Sequence, residues 1–250
     1  MSIETYGVGK RMELVARSLS FVDCKHLVVL PIPTTKDRKH ITNTDILLDE
    51  TLVNVCEDSK IIGYGLPEEY RARAEALGAV VFDAADDEEF LERNSYITAI
   101  GALGYILSTT DKEPSELCVG IFGYGRIGAA LARMLLFFGA KLIVYTSKIL
   151  SRIELGTYGI DSVSVKTSSK DDCSLEGLDI FINTAPTDMT EVVGGEKIPY
   201  GIRVIELASG DNFKGIDGVE SLPGIPEKMY PESAAKAYLE AIKRFLNKDF

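Results

Sequence analysis

The chain is short of the side chains from which metal, redox and acid–base sites are most often built. Its 250 residues include two histidines, His26 and His40, and four cysteines, Cys24, Cys56, Cys118 and Cys173. No C-x-x-C pair occurs, which excludes a zinc ribbon or a dithiol redox motif and leaves reduced thiols as the expectation. No spacing suits a metal, and no Ser/His/Asp order is readable. No apolar run reaches the ~20 residues of a bilayer span. Residues 1–6 lack the basic region and apolar core of a secretory signal. Positive charge is scarce too: 27 Lys and Arg face 38 Asp and Glu, a formal net charge of −11. Such a field repels nucleic acid and anionic membrane. A cytoplasmic protein with neither as partner is expected.

What is present is a glycine fingerprint. The apolar run Cys118-Val119-Gly120-Ile121-Phe122 leads into Gly123-Tyr124-Gly125-Arg126-Ile127-Gly128, a G-x-G-x-x-G. Apolar residues then recur at helical spacing at Ile127, Ala130, Leu131, Met134, Leu135 and Phe138. Gly139 stands where a helix C-cap belongs. Leu142-Ile143-Val144-Tyr145 follows as a buried parallel strand. Strand, tight turn, helix and strand within ~30 residues form the unit that holds a dinucleotide pyrophosphate at a helix N-terminus.

The end of that second strand bears on which nucleotide. Units that bind NAD usually carry Asp or Glu there, for the ribose 2′-hydroxyl. Here the place reads Thr146-Ser147-Lys148, with Arg152 a turn later and no carboxylate. Hydroxyls and cations suit a 2′-phosphate. NADP is therefore expected, with NAD as the second choice.

Alternating patterns on both sides set the fold class. A Rossmann-type doubly wound parallel sheet is expected, with a smaller N-terminal flavodoxin-like α/β domain and linking helices. In the first domain, residues 8–20 read as helix, and 27–31, 60–65 and 79–82 as strands. Pro67 opens a helix with the stripe Tyr70, Ala74 and Leu77, and the acidic residues 86–89 open a short one. The predicted domains are 1–93, a linking helix over 94–110, and a nucleotide domain over 111–230. Residues 231–250, a helix opened by Pro231, return to the first domain, and the active site is placed in the cleft between the two.

Strand ends in such sheets carry the ligand-binding loops. Thr184-Ala185-Pro186 and Ala208-Ser209 follow two later strands, and Gly224 follows the last short apolar run. Their small side chains let a nicotinamide approach the backbone, although Thr, Pro and Gly are also ordinary turn formers. The basic cluster Lys36, Arg38, Lys39 and His40 follows the strand run Leu27-Val28-Val29-Leu30 and suits a small anionic substrate such as a dicarboxylate. Catalytic candidates are few. His40 could reach the cleft, and Glu206 either accepts a proton or caps neighbouring N–H groups. His26 reads as structural.

An ordered set of segments resembles the A-type subunits of dipicolinate synthases. It comprises Arg93-Asn94-Ser95-Tyr96-Ile97-Thr98-Ala99-Ile100-Gly101-Ala102 before the fingerprint, then Asn183-Thr184-Ala185-Pro186, Leu207-Ala208-Ser209 and Leu222-Pro223-Gly224-Ile225 after it. The resemblance implies an NADP-linked oxidoreductase that removes hydride from a cyclic dicarboxylate. It implies substrate contacts from Thr34, Thr35, Lys36, Asn94, Ser95, Thr98, Ser209 and Gly224. It also implies a flavoprotein-like partner protein, and a homodimer is compatible too. Two positions depart from the family pattern: Ile97 and Ile100 replace a proline and an acidic residue. A non-catalytic nucleotide-binding protein is therefore an alternative. D-2-hydroxyacid and shikimate dehydrogenases share the general plan, but the former use a late histidine, and none follows His40 here.

Overall fold

The structure, a computed structural model, describes residues 2–19, 25–165, 173–190, 192, 198 and 200–247. Cys24 lies outside them. The chain divides into two compact units, Met1–Asn94 with Pro226–Phe250, and Ser95–Ile225.

The first unit is built on a four-stranded parallel sheet whose spatial order equals its chain order: β1 (Ser2–Thr5), β2 (His26–Val29), β3 (Lys60–Gly63) and β4 (Val80–Asp83). Helix α1 (Lys10–Ser18) joins β1 to β2, and α2 (Glu68–Ala76) joins β3 to β4. The central run His-Leu-Val-Val of β2 is buried throughout, as a parallel strand covered on both faces must be. Strand β1 has no counterpart in the sequence pattern. It sits at the sheet edge with half-exposed residues, so its periodicity is too weak to announce it. Leu77 proves to be the C-cap of α2 and stays exposed, because the helix ends there and Gly78, at φ +84°, turns the chain back.

The acidic stretch opens no separate short helix. It starts the 22-residue α3 (Glu88–Thr109), which takes in nearly all of the predicted linking segment. Asp87 caps it by accepting from the Phe90 N–H at 2.9 Å and also grips Arg244 through both carboxylate oxygens, at 2.9 and 3.0 Å. That second anchor is 157 residues away in sequence, which is why local pattern misses it.

The second unit carries a six-stranded parallel sheet, built from β5 (Cys118–Phe122), β6 (Lys141–Tyr145), β7 (Asp161–Val163), β8 (Ile180–Asn183), β9 (Arg203–Glu206) and β10 (Val219–Ser221). Its order is β10-β9-β8-β5-β6-β7, the doubly wound dinucleotide-binding order. Helices α4 (Arg126–Phe137) and α5 (Ile149–Thr157) follow β5 and β6. The α4 stripe packs Leu131 and Leu135 against Val119, Ile121 and Val144 in one buried cluster. Phe138 departs from the predicted stripe: it is the C-cap and is 45% exposed. Gly139, at φ +86°, closes a Schellman end, with Ala140 N–H bonded to Leu135 O and Gly139 N–H to Leu136 O.

Short α6 (Ile225–Met229) leads to α7 (Pro231–Leu246), which opens with Pro231 in its first turn and completes the first unit. Its buried face presents Ala234, Tyr238, Ile242 and Phe245, and the Tyr238 hydroxyl donates to Leu30 O at 2.8 Å. Among the described residues no helix is long and apolar enough to cross a membrane.

Candidate functional site

Strand order in the second unit reverses between β5 and β8, and in such sheets the crevice beyond the carboxyl ends at that point binds ligands. A cavity of about 260 Å³ lies there, lined by the ends of β5 and β6 and the loop after β8.

The three glycines of the fingerprint do separate jobs. Gly123 sits at φ +94°, a conformation that L side chains rarely adopt. At Gly128 a Cβ would lie 2.3 Å from Gly123 O and 2.9 Å from Thr184 Oγ1, so the helix can approach the strand only without one. At Gly125 the backbone is ordinary extended chain, and a Cβ would meet nothing within 4 Å. Nothing in the protein itself requires glycine there. Only an occupant of the cavity would. No side chain caps α4 and its first turn holds no acidic residue, so the positive end of the helix is left for an anion.

Gly123, Tyr124 and Gly125 line the cavity on one side, and Thr184, Ala185 and Pro186 on another. Thr146, Ser147 and Lys148 line the β6 end. Arg126 and Ile127 open α4 without reaching the lining, and Gly128 lies buried behind the turn. Arg152 is also off the lining; it is half-buried on α5, with its Nε buried and without a hydrogen-bond partner. No carboxylate lines the cavity among the described residues. Phe122, Tyr145, Val165 and Thr187 line it too, beyond the residues that the sequence singles out. The first two are the last residues of their strands, a position that the carboxyl-end rule could have flagged.

Two polar locks shape the loops. The Thr184 hydroxyl reaches Phe122 O and Gly123 O, at 3.0 and 3.1 Å, tying the β8 loop to the glycine turn. Asn183 and Glu206, both buried, form the second: Asn183 Nδ2 donates to both Glu206 oxygens, at 3.2 and 3.1 Å. Ala208 N–H donates to Glu206 Oε1 and Ala185 N–H to Asn183 Oδ1. Burial pushes the Glu206 carboxyl above the ordinary carboxylate range, and its N–H donors pull it part of the way back. Of the two roles open to Glu206, capping is the one the geometry shows. Ala208 therefore takes part through its backbone, while Ser209 and Gly224 lie exposed on their loops.

The remaining candidates fall elsewhere. Thr34 is fully buried, its hydroxyl taken by Pro31 O and Tyr64 N–H, so it cannot meet a substrate. Thr35 donates to Asp37, and His40 Nδ1 meets Asp37 Oδ2 at 2.7 Å. Lys36 is exposed. Asn94, Ser95 and Thr98 follow one another on α3, with Thr98 buried. His26 is buried between Ser59 and Glu4.

The sheet order and the glycine turn define a Rossmann-type dinucleotide-binding fold. Residues 106–190 match the family model of the D-isomer specific 2-hydroxyacid dehydrogenase, NAD binding domain. The chain as a whole resembles the A subunit of dipicolinate synthase. It is 25% identical to that protein of Bacillus subtilis (strain 168) over 238 residues, 88% of this chain and 77% of the relative. The solved structure from Bacillus halodurans superposes with a TM-score of 0.79 at 20% identity, covering 99% of this chain and 98% of that one. Its Bacillus subtilis counterpart gives 0.76 at 18% identity, covering 98% and 95%.

Proposed function

We propose that the protein is an NADP-dependent oxidoreductase acting on a small cyclic dicarboxylate of the dihydrodipicolinate type. The cofactor preference is carried by the end of β6, where Thr146, Ser147 and Lys148 replace the expected carboxylate. Arg152, a turn later on α5, places a second cation near that end in sequence. A 2′-phosphate would be held by these groups, the pyrophosphate by the Gly123–Gly125 turn and the start of α4. When bound, the nucleotide supplies the hydride acceptor. The protein's part is to position: Thr184 fixes the turn, and the Asn183–Glu206 lock holds the two loops beside it. The dicarboxylate rests on the likeness to the dipicolinate synthase protein and on the basic loop around Lys36.

Calorimetric titration with NADPH and NADH tests the preference. NADPH should bind at least about tenfold more tightly, and Arg152→Gln should weaken NADPH without changing NADH. Tighter NADH binding would overturn it. Steady-state assay with the cyclic precursor tests turnover.

A second reading is a nucleotide-binding protein without turnover. Ile97 is buried where the family carries proline, Ile100 stands in place of its acidic residue, and both acid–base candidates are engaged by their own loops. Tight NADPH binding with no reduction of the nucleotide would favour it.

A further inference from the structure

Half of the exposed large apolar side chains among the described residues fall on three helices of the second unit or at their ends. Phe137 is 87% exposed, Leu150 77%, Ile149 63% and Ile153 61%, and Tyr96 and Phe138 are 45% exposed each. At roughly 200 Å² for a large side chain in full exposure, these six present about 700 Å² of apolar surface. Monomers rarely leave more than a few hundred Å² of contiguous apolar surface open to water. A stable protein–protein interface takes about 800 Å² from each partner.

The helices that carry these residues are neighbours. Tyr96 of α3 lines one shallow hollow of about 260 Å³ together with Ala130, Met134 and Phe137 of α4 and Phe138 at its end. Arg133 also lines it, and meets Glu154 of α5 at 4.0 Å. Leu150 stands one turn before Glu154 on the same stripe of α5. The hollow shares no lining residue with the nucleotide cavity.

The face carries its own complement. Phe137 projects from the rim of the hollow, so knob and socket lie side by side. Its charges come one of each sign, and Arg133 and Glu154 are both about half exposed. Balanced charge gives a strongly acidic or basic partner nothing to match. Two copies of a chain at −11 repel each other overall, and a face of balanced charge is where that repulsion is weakest. A two-fold axis brings the same patch of both copies together, which such a face can satisfy.

We propose that this face is the contact between two copies of the chain, with Phe137 of each seated in the other's hollow and Arg133 of each set against the partner's Glu154. The proposal rests on neither the nucleotide nor the substrate.

Sedimentation velocity of the full chain between about 1 and 100 μM tests it. A species of twice the chain's 27.3 kDa should appear. Phe137→Asp should weaken it by at least about 100-fold without lowering Tm. A parent chain that stays monomeric throughout would overturn the proposal, as would a dimer that Phe137→Asp leaves intact. Should that variant fail to fold, Leu150→Asp must give the same loss, and an unchanged dimer there overturns the face. Arg133→Glu and Glu154→Arg should each weaken the dimer by about tenfold, because like charges then meet across the axis. Mixing the two variants should restore it, since unlike charges then meet at both contacts. A mixture that associates no more tightly than either variant alone rules out the two-fold pairing.

Discussion

Two of the strand–glycine–helix turns share a G-x-G spacing with a left-handed first glycine, and the space around them differs. After β1, Gly7 and Gly9 stand in the same relation as Gly123 and Gly125 after β5, and Gly7 shares the left-handed turn, at φ +97° against +94°. Neither following helix has a side-chain cap. The difference lies in what surrounds them. A Cβ on Gly9 would lie 1.8 Å from Glu227 Oε1, and one on Gly7 would lie 2.7 Å from Pro31 Cβ. The first turn is filled by its own chain. At Gly125 there is open space. The residue three beyond the second glycine differs as well: buried Met12 in the first turn, Gly128 in the second. A glycine turn becomes an anion site when packing leaves it empty, and a packing joint when a neighbour occupies it.

Substitutions can break this contrast. The largest effect is expected from Gly128→Val, whose side chain would collide with backbone at Gly123 O. It should destabilise the second unit by about 3 kcal/mol, seen as a lower Tm, with nucleotide binding lost as well. Gly125→Val should leave Tm in place and weaken NADPH more than about 100-fold, equivalent to ~2.7 kcal/mol; unaltered affinity would refute the cradle. Gly9→Ala should do the reverse. Its left-handed φ of +106° and the Glu227 contact should lower Tm, by about 1–2 kcal/mol of strain, with NADPH affinity unchanged.

The smallest effect is one of pH. The folded-state pKa of Glu206 is raised, so folded protein binds a proton there that the unfolded chain has already released. Its contribution to stability therefore falls as pH rises from the ordinary carboxylate value through the raised one. Glu206→Gln removes that slope. The Tm difference between variant and parent should be more positive at pH 7 than at pH 4, and a flat or opposite trend would rule out burial as the dominant cause.

The glycine unit was legible because all its signals are local: an apolar strand, three glycines at fixed spacing, a helical stripe and Gly139 at its end. The glycine side of the cavity follows from those, and Thr184-Ala185-Pro186 on its lining from strand ends alone. Other features depend on contacts that no window of sequence contains. The start of α3 depends on Asp87 meeting Arg244. Thr34 reads as a free hydroxyl until Pro31 O and Tyr64 N–H are seen to claim it. Around Thr42 the loop passes through two left-handed residues, Arg38 at φ +67° and Asn43 at +60°, which periodicity cannot foresee.

Because Pro226–Phe250 belongs to the first unit, the order of synthesis and the order of folding part company. Domains generally fold as they leave the ribosome, amino-terminal first. Here the leading sheet is completed by α7, which brings Tyr238 to Leu30 and Arg244 to Asp87 only after the whole second unit has been made. The second unit is complete in sequence before the first, whose sheet stays uncovered until α7 has been made.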